Sequence, residues 1–517
     1  MAYLHCGKKR QNKKFIKYSV FRITGEKRMK YLLGIDFGGG STKATLINTT
    51  GDIVAENSVE YPTYHPTPAA CEQKAEDWLW ALSENVKGLK EKSGIDLNDI
   101  LCIAIDSATH TSLICDKDFK PIRPAMHWTD TRSREQADRV FAEMAEDIFK
   151  KTYHKPDTIW TLPQLMWLNE NEKDNFNKTK YIFFEKDYIR YALTGVYCTD
   201  YIEAEGSMLF DCNKMAWDEE LCSLAGITVD MLPPIVAPTD VIGKVTDDAS
   251  KTYGLPAGIP VVCGTTDTVM EVFASGAVSK GDVTVKLATA GRICVITDKP
   301  YPDRHLVNYS HITGGLWYPG TATKSAAASY RWYRDTFGGN YKELDIGASE
   351  VPLGCEGLVF LPHLNGELTP YADPMLCGSF TGVRATHTKA HFTRAVLEGV
   401  SLSLLDSKIY LDNLGMEYKE KATLIGGGGK GRLWAQITSD ALGIELRITE
   451  SADSSLGSAM LAGIASGVFK DAEEAVKVCI KEVDTVYPNP ENTKKYRKLY
   501  DEYKKIHDAL APIYRER

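Results

Sequence analysis

The sequence of 517 residues has no apolar run that approaches the 18 residues required by a membrane-spanning helix. Its twelve cysteines form no C-x-x-C pair, and several, such as Cys102 and Cys263, lie singly within apolar stretches. Such spacing argues against structural zinc sites and disulfide frameworks, and it is typical of a reducing compartment. With 43% hydrophobic and 25% charged residues, the chain is predicted to be a cytoplasmic protein of two or three domains without a membrane partner.

Most of the chain also lacks an excess of positive charge. Residues 1–28 carry nine Lys or Arg and one acid; the rest holds 52 basic and 68 acidic residues, a formal net charge of −16 against −8 for the whole. Because nucleic-acid binding requires a cationic face, this acidic body argues against a nucleic-acid partner. Residues 1–28 lack the apolar region and cleavage site of a secretion signal. We interpret them as an extension outside the fold, which is expected to begin at Met29.

The most informative segment is residues 31–43, YLLGIDFGGGSTK, in which an apolar run leads to an acid, three glycines, two hydroxyl residues and a lysine. Glycines let backbone N–H groups approach anionic oxygens closely, and Ser41 and Thr42 can donate hydrogen bonds. Asp36 can hold a hydrated divalent cation beside the same phosphates. The segment predicts a strand–turn–strand phosphate site, although a glycine-rich hairpin with an ordinary surface lysine shows the same pattern.

A second glycine run, residues 426–431, follows a short apolar segment and precedes a helical pattern, so it satisfies G-x-G-x-x-G. Glu450 follows a further apolar segment about twenty residues later, which leaves a dinucleotide site open as an alternative. A Walker A loop is excluded, because Leu424 stands at the position of its first glycine and Gly431 follows the lysine.

The order of predicted elements indicates mixed sheets. Strands are expected at 31–36, 43–48, 53–57 and 100–106, with a helix from residue 75 to about 92. Residues 282–297 repeat the hairpin around a small-residue turn, and this duplication predicts two related domains, 29–279 and 280–517. The small residues of 455–467 predict a helix that packs backbone-close against a sheet or another helix. The charged pattern of 491–507 predicts a solvated C-terminal helix.

Asp267 is the candidate general base of a phosphoryl-transfer reaction. It follows the apolar strand predicted at 259–264, and ligands collect at the carboxyl ends of such strands. The alternative is that Asp267 caps the N-terminus of the helix predicted after it.

From Met29 onward the chain resembles the FGGY carbohydrate kinases, and most of all their xylulokinase branch. The matching motifs occur in order over almost the whole length: residues 36–43 resemble the N-terminal phosphate motif, 72–78 the E-Q-x-x-x-D-W segment, 128–132 the W-x-D-x-R segment, Asp267 the catalytic aspartate and 426–437 the adenosine-binding segment. This resemblance replaces the dinucleotide interpretation of residues 426–431.

The resemblance implies an α/β fold of two actin-like (ribonuclease H-like) domains, with mixed sheets flanked by helices, that face each other across a deep cleft. Domain 29–279 would bind the sugar, and 280–517 would bind most of the ATP. The implied reaction transfers the γ-phosphate of ATP to a small sugar with Mg²⁺, first of all D-xylulose to D-xylulose 5-phosphate. Other ketoses, polyols and aldonates, including ribulose, L-xylulose, gluconate and erythritol, stay open as acceptors, as does a monomer or a homodimer.

The resemblance also implies roles for individual residues. Asp267 would be the base, and Asp36 and Asp267 would hold Mg²⁺ through water. His110 could instead be a strand-end residue bonded to backbone, and Trp128 could belong to the core. The acceptor would contact Thr109, His110, Trp128, Asp267 and Thr268, and the phosphates and ATP would contact Gly39, Gly40, Ser41, Thr42, Lys43, Thr289, Gly291, Gly427, Gly428 and Lys430.

Three departures from the family pattern indicate a distinct subgroup. Thr268 stands where xylulokinases usually have Asn, Leu368 replaces an Arg, and residues 287–291 read LATAG instead of L-G-T-S-G. A hypothesis of another class is a non-catalytic sugar-binding or regulatory relative. A third, an NAD-dependent enzyme, would use the glycines of 426–431.

Overall fold

The computed structural model describes residues 29–516, so the expectation for residues 1–28 lies outside it. Within this range the helices are α1 (Ala75–Ser93), α2 (Arg134–Thr152), α3 (Thr161–Asn171), α4 (Lys173–Phe176), α5 (Glu185–Thr194), α6 (Tyr201–Gly206), α7 (Glu219–Leu224), α8 (Asp247–Tyr253), α9 (Asp267–Ala274), α10 (Ala327–Phe337), α11 (Tyr341–Ser349), α12 (Lys389–Asn413), α13 (Arg432–Leu442), α14 (Ser454–Ala465), α15 (Ala472–Cys479) and α16 (Pro490–Arg515). Short 3₁₀ turns occur at Leu97–Asp99, Val229–Met231, Cys355–Gly357 and Gly427–Lys430.

The strands of the described range are β1 (Tyr31–Phe37), β2 (Ser41–Asn48), β3 (Ile53–Glu60), β4 (Glu72–Gln73), β5 (Ile100–Ser107), β6 (Ser112–Cys115), β7 (Ala125–Met126), β8 (Tyr181–Phe184), β9 (Thr199–Asp200), β10 (Phe210–Asp211), β11 (Ala216–Trp217), β12 (Ile235–Val236), β13 (Val241–Lys244), β14 (Pro260–Val262), β15 (Val283–Leu287), β16 (Gly291–Val295), β17 (Val359–Leu361), β18 (Ser379–Thr381), β19 (Lys421–Ile425), β20 (Glu445–Thr449) and β21 (Glu482–Val486).

Two large mixed sheets share one device, a hairpin extended by parallel strands. The first has the order β13-β14-β5-β1-β2-β3, with β1 antiparallel to β2 and parallel to β5. The second has the order β16-β15-β19-β20-β21, with β15 antiparallel to β16 and parallel to β19. Both hairpins predicted from the sequence are therefore confirmed. Strands of the first sheet end by Val262 and those of the second begin at Val283, on either side of the division that we place near residue 280.

Helix α14 belongs to the C-terminal part of the chain but packs on the first sheet. A Cβ atom built at Gly34 of β1 would lie 2.0 Å from the carbonyl oxygen of Ser455, so helix and strand touch backbone to backbone. One at Gly457 would lie 2.3 Å from the carbonyl oxygen of Met270 in α9. The predicted close packing of this small-residue helix is confirmed.

The prediction of a solvated C-terminal helix is right for its charged face and wrong for the opposite face. Tyr496 and Tyr503 of α16 are fully buried, and the Tyr496 hydroxyl donates to Glu398 Oε1 at 3.0 Å. The tyrosines recur at helical spacing, and they form an apolar face that charged residues on the other side conceal in the sequence.

Two further observations concern cysteines and membrane spans. All eleven cysteines of the described chain are free thiols, and ten of them are buried. None of the helices between Met29 and Glu516 combines the length and the apolar character that crossing a bilayer demands.

Candidate active site

Hydrogen bonds from the E-Q-x-x-x-D-W segment, residues 72–78, and from neighbouring residues fix the turn of the β1–β2 hairpin. The carbonyl oxygen of Gly39 accepts from Thr63 Oγ1 at 2.8 Å and from Gln73 Nε2 at 3.1 Å. Gln73 Oε1 in turn accepts from Trp78 Nε1 at 3.2 Å, deep in the core. The Tyr61 hydroxyl donates to the carbonyl of Gly38. With these carbonyls fixed, the turn between β1 and β2 keeps one conformation, as a phosphate cradle requires.

Two residues of the same hairpin are placed differently from the expectation. Thr42 is fully buried and its Oγ1 accepts from Asn85 Nδ2 at 3.3 Å, because alternation along β2 turns it toward the core while Ser41 faces solvent. Lys43 Nζ lies 2.5 Å from Asp453 and 2.8 Å from Glu56. Its ammonium therefore joins β2 to the start of α14 and is already neutralised. Ser41, Gly39 and Gly40 remain the exposed or half-buried members.

Asp36 at the end of β1 has a carboxyl neighbour that the sequence analysis missed. Asp106 on β5 is its direct partner in the parallel register and is fully buried. Its Oδ2 accepts from Ser458 Oγ of α14 at 2.5 Å. Burial raises the pKa of Asp36; burial and the adjacent Asp36 raise the pKa of Asp106 well above its usual range. An acid within the apolar strand 100–107 was the only sequence signal for this pair.

Asp267 is the first residue of α9, and the helix cap is Thr266, so the cap interpretation of Asp267 is wrong. Thr109 Oγ1 lies 3.4 Å from Asp267 Oδ1. Burial, with a further contribution from the negative charge of Asp36, raises the pKa of Asp267 to about 7. A carboxylate with a pKa near neutrality is suited to accept a proton from an alcohol and release it later.

His110 follows Thr109 in the loop after β5 and has a left-handed backbone with φ of 50°. Its backbone N–H donates to Glu203 Oε1 at 2.5 Å, and its ring centroid lies 4.9 Å from that of Trp160. Burial lowers the pKa of His110 to about 3, so the imidazole is neutral. Its Nδ1 is buried without a hydrogen-bond partner in the described chain, which leaves it available to a hydroxyl.

Thr268 and Trp128, the other two residues expected to contact the acceptor, lie in different surroundings. Thr268 Oγ1 lies 3.0 Å from the Tyr318 hydroxyl, which brings a residue of the C-terminal part to the Asp267 helix. Trp128 is 40% exposed, so its placement in the core is wrong. Its ring stands 5.6 Å from the ring of His127.

The second hairpin borders a cavity of about 820 Å³, whose lining includes four predicted residues: Thr289, Gly427, Gly428 and Lys430. The sequence analysis missed its aromatic walls, which are formed by Tyr330, Tyr341 and Trp434. The volume is in the range of small-molecule sites, and flat aromatic walls suit a purine base. Gly291 lies beneath the turn, where a Cβ would approach Thr323 Cγ2 to 2.6 Å.

A direct protein-only metal site is not present among the described residues, since no three His, Cys, Asp or Glu side chains are grouped for one. The fit to a hydrated cation is different, because Mg²⁺ usually keeps several waters and uses one or two carboxylates. Asp36 Oδ1 is buried and has no hydrogen-bond partner among residues 29–516, as expected of an oxygen that can accept from such a water.

Comparisons with known proteins agree with this geometry. The pattern of the FGGY family of carbohydrate kinases, N-terminal domain, matches residues 31–274, and that of its C-terminal domain matches residues 261–466. The xylulose kinase of Bacillus subtilis is 31% identical over 93% of this chain and 97% of its own, and the gluconokinase of Bacillus subtilis is 30% identical over 91% and 94%.

The solved structure of xylulose kinase from Rhodospirillum rubrum superimposes with a TM-score of 0.87 and 26% identity, over 94% of this chain and all of that one. The likeness covers both large sheets. It confirms the predicted fold of two actin-like domains with mixed sheets flanked by helices.

Proposed function

The chain belongs to the FGGY family of carbohydrate kinases and is an ATP-dependent sugar kinase, and we propose that Asp267 is the base of its reaction. The observation that carries this assignment is a carboxylate at the start of α9, beside Thr109, whose pKa is raised to about 7. A base of this strength accepts the hydroxyl proton in the transition state and is mostly ionised at rest above neutral pH.

The proposed reaction is an in-line displacement at the γ-phosphorus of ATP. The acceptor hydroxyl oxygen forms a bond to phosphorus while the bond from phosphorus to the β–γ bridging oxygen breaks, and ADP leaves with that electron pair. The hydroxyl proton passes to Asp267. Gly39, Gly40 and Ser41 would surround the transferred group, and Thr289, Gly427, Gly428 and Lys430 would bind the nucleotide in the cavity of the C-terminal part.

Mg²⁺ would be held through water by Asp36 and Asp267, and it supplies neutralisation of the phosphate charge when bound. Thr42 and Lys43 fall outside this set, since the first is buried and the second is paired with Asp453 and Glu56. Thr109, His110 and Thr268 would orient the acceptor, and Trp128 would offer an exposed ring to it.

The family resemblance favours D-xylulose as the acceptor, with D-xylulose 5-phosphate as product. The second candidate is a sugar acid. A xylulose kinase and a gluconokinase are related to this chain at 31% and 30% identity, a difference too small to decide between them. A specific observation that favours the sugar acid is Arg292, whose Nε and Nη2 have no hydrogen-bond partner within the described part of the chain. Ten buried free thiols also support a reducing, cytoplasmic environment.

The test is release of ADP from Mg-ATP with D-xylulose, L-xylulose, D- and L-ribulose, D-gluconate, glycerol and erythritol. We expect release that depends on the acceptor and is abolished without one. Binding of ATP with silence across the panel would favour the non-catalytic relative. Nicotinamide cofactor binding would revive the dinucleotide alternative, although the Gly427–Lys430 turn borders the cavity assigned to ATP.

A further inference from the structure

Arg292, the second residue of β16, has two nitrogens without partners. Nε and Nη2 are buried and have no hydrogen-bond partner in the part of the chain that the structure describes. Buried polar groups in proteins are almost always hydrogen-bonded, and an uncompensated buried charge is strongly destabilising. Arg292 as a residue is half-buried, so it is these two inner nitrogens that are expected to have a partner that is not part of the protein.

Strand alternation shows which side of the second sheet carries Arg292. Its direct partner across the hairpin is Lys286, and Thr284 is the partner of Cys294, two residues along. Thr284 Oγ1 lies 2.7 Å from Ser275 Oγ, at the end of α9. The face that bears Arg292 is thus the one covered by the helix that begins with Asp267.

The opposite face of the same hairpin belongs to another core. Val285, Ile293 and Val295 pack in the cluster that also contains Tyr330 and Trp434, two walls of the nucleotide cavity. Arg292 consequently projects toward the acceptor side of the hairpin and away from the side that borders the nucleotide.

The neighbours of Arg292 connect it to the acceptor residues. Its Nη2 lies 3.4 Å from a Cβ built at Gly320, two residues after Tyr318. Burial raises the pKa of Tyr318 and the positive charge of Arg292 opposes that rise, which places the two groups close together. The Tyr318 hydroxyl contacts Thr268, the residue that follows Asp267.

A second tyrosine extends this wall. The rings of Tyr309 and Tyr318 stack with centroids 5.8 Å apart. A Cβ built at Gly206 would lie 3.3 Å from the Tyr309 hydroxyl and 2.8 Å from both Thr109 and His110 side-chain atoms. A chain of contacts therefore links Arg292 through the two tyrosines to Thr109, His110 and Thr268.

Lys286, the cation next to Arg292 on the hairpin, differs from it because it forms an ion pair. Lys286 Nζ lies 2.6 Å from Glu271 Oε2, so this strand pair presents one neutralised cation and one guanidinium with free donors. A guanidinium offers two parallel donors that match the two oxygens of a carboxylate. The charge of Glu271 also acts on Arg292, but among the described residues no hydrogen bond reaches Arg292 Nε or Nη2, so both donors are open to a carboxylate.

We propose that Arg292 binds the carboxylate of the acceptor, and that the acceptor is an aldonate, with its carboxylate at Arg292 and its phosphorylated hydroxyl at Asp267. This proposal rests on the proposed kinase function and narrows its acceptor to sugar acids. The phosphoryl transfer is the same displacement at the γ-phosphorus of ATP, and the carboxylate of the acceptor takes no part in it.

The experiment compares D-gluconate with sorbitol, and D-xylonate with D-xylulose, for the wild type, Arg292→Met and Arg292→Lys. The matched control is Arg139→Met, which removes an arginine that pairs with Glu170 on the surface. We expect the wild type to prefer the acids. Arg292→Met should lower kcat/KM for the acids roughly 10- to 100-fold, the worth of charge-assisted hydrogen bonds, and leave the KM for ATP within about twofold.

Arg292→Lys should recover part of the acid activity, because it keeps the charge and loses the fork. Arg139→Met should match the wild type. A wild-type preference for the neutral acceptors, or an equal loss for acids and neutral acceptors in Arg292→Met, would overturn the proposal. A raised KM for ATP instead would assign Arg292 to the transferred phosphate and overturn it as well.

Calorimetric binding of D-gluconate separates this proposal from the kinase function. Silence in ADP release with binding that Arg292→Met abolishes would sink the proposed function and support the carboxylate site. Turnover of D-xylulose without binding of D-gluconate or D-xylonate would support the proposed kinase function and refute the carboxylate site at Arg292. If Arg292→Met does not fold, Arg292→Lys and the wild-type preference decide.

Discussion

Asp36 and Asp106 stand directly opposite each other on the parallel strands β1 and β5, where Asp106 is fully buried and Asp36 is half-buried with its Oδ1 turned away from water. Burial and the charge of Asp36 raise the pKa of Asp106, whereas the hydrogen bond with Asp106 opposes the rise that burial causes in the pKa of Asp36. The charge of Asp36 also contributes, after burial, to the raised pKa of Asp267. The proposed active site thus contains several carboxyl groups, among which Asp267 has a pKa near neutrality.

The first prediction concerns pH. Because the pKa of Asp267 is raised to about 7, it is protonated and cannot act as base at lower pH. We expect kcat/KM for the acceptor to reach a plateau above neutrality and to fall about tenfold per pH unit below it. Glu271→Gln removes a negative charge that raises this pKa, so the acidic limb should move to lower pH. An unchanged limb in Glu271→Gln would contradict the electrostatic explanation.

The second prediction tests the base itself. Asp267→Asn should reduce turnover by roughly 10²–10⁴ while ATP and acceptor still bind, since the amide cannot accept the proton. Asp298→Asn provides the control, because Asp298 pairs with Lys280 at the surface. Steady-state ADP release and calorimetric binding measure the two properties separately. Normal turnover in Asp267→Asn would refute the assignment.

The third prediction uses two adjacent glycines of the nucleotide cavity. A Cβ built at Gly427 has no heavy atom within 4 Å, so Gly427→Ala should keep the melting temperature and raise the KM for ATP by occupying the cavity. One at Gly428 would lie 2.9 Å from Trp434 Cζ3 and 3.0 Å from the Leu287 carbonyl oxygen. Gly428→Ala should therefore also lose about 1–3 kcal/mol of stability. Identical melting of both variants would argue against this difference in packing.

The fourth prediction concerns a buried ion network behind the site. Lys186 Nζ lies 2.6 Å from Asp187 and 2.9 Å from Asp200, and all three side chains are fully buried. Asp200 Oδ1 accepts from Thr265 Oγ1 at 2.8 Å, two residues before Asp267. Lys186→Met leaves the buried carboxylate of Asp200 without a cation, while Asp187 keeps Arg190 at 3.0 Å, and it should cost about 3–5 kcal/mol of unfolding free energy in urea.

Lys251→Met is the comparison for that measurement. Lys251 is exposed and lies 3.5 Å from Asp248, so its loss should change the unfolding free energy by no more than about 0.5 kcal/mol. Equal unfolding curves for the two variants would show that the buried network contributes no net stability.

Features that depend on local pattern could be predicted from the sequence. Both hairpins followed from apolar strands around glycine or small-residue turns, and the packing of α14 followed from its small side chains. Thr289, Gly427 and Gly428 were expected around a nucleotide, and they line one cavity.

Features that depend on tertiary contacts could not be predicted from the sequence. The Asp36–Asp106 pair arises from strand register across distant segments, and the unpaired state of Arg292 is visible only once its neighbours are known. The phosphate motif suggested that Thr42 and Lys43 were free to donate hydrogen bonds to a phosphate. Strand alternation instead turns Thr42 toward Asn85 in the core, and Lys43 forms ion pairs with Glu56 and Asp453. Charge on one face of α16 concealed its buried tyrosines.

Helix α14 has a consequence for synthesis on the ribosome. Leu456, Met460 and Leu461 complete the apolar core that lies against the first sheet, and they pack with Leu32 and Cys102. The six strands of that sheet emerge long before Ser454–Ala465, so the nascent chain keeps an uncovered apolar face until translation is nearly finished. The first half of the protein is therefore synthesised early but cannot complete its own core until a helix of the second half has emerged.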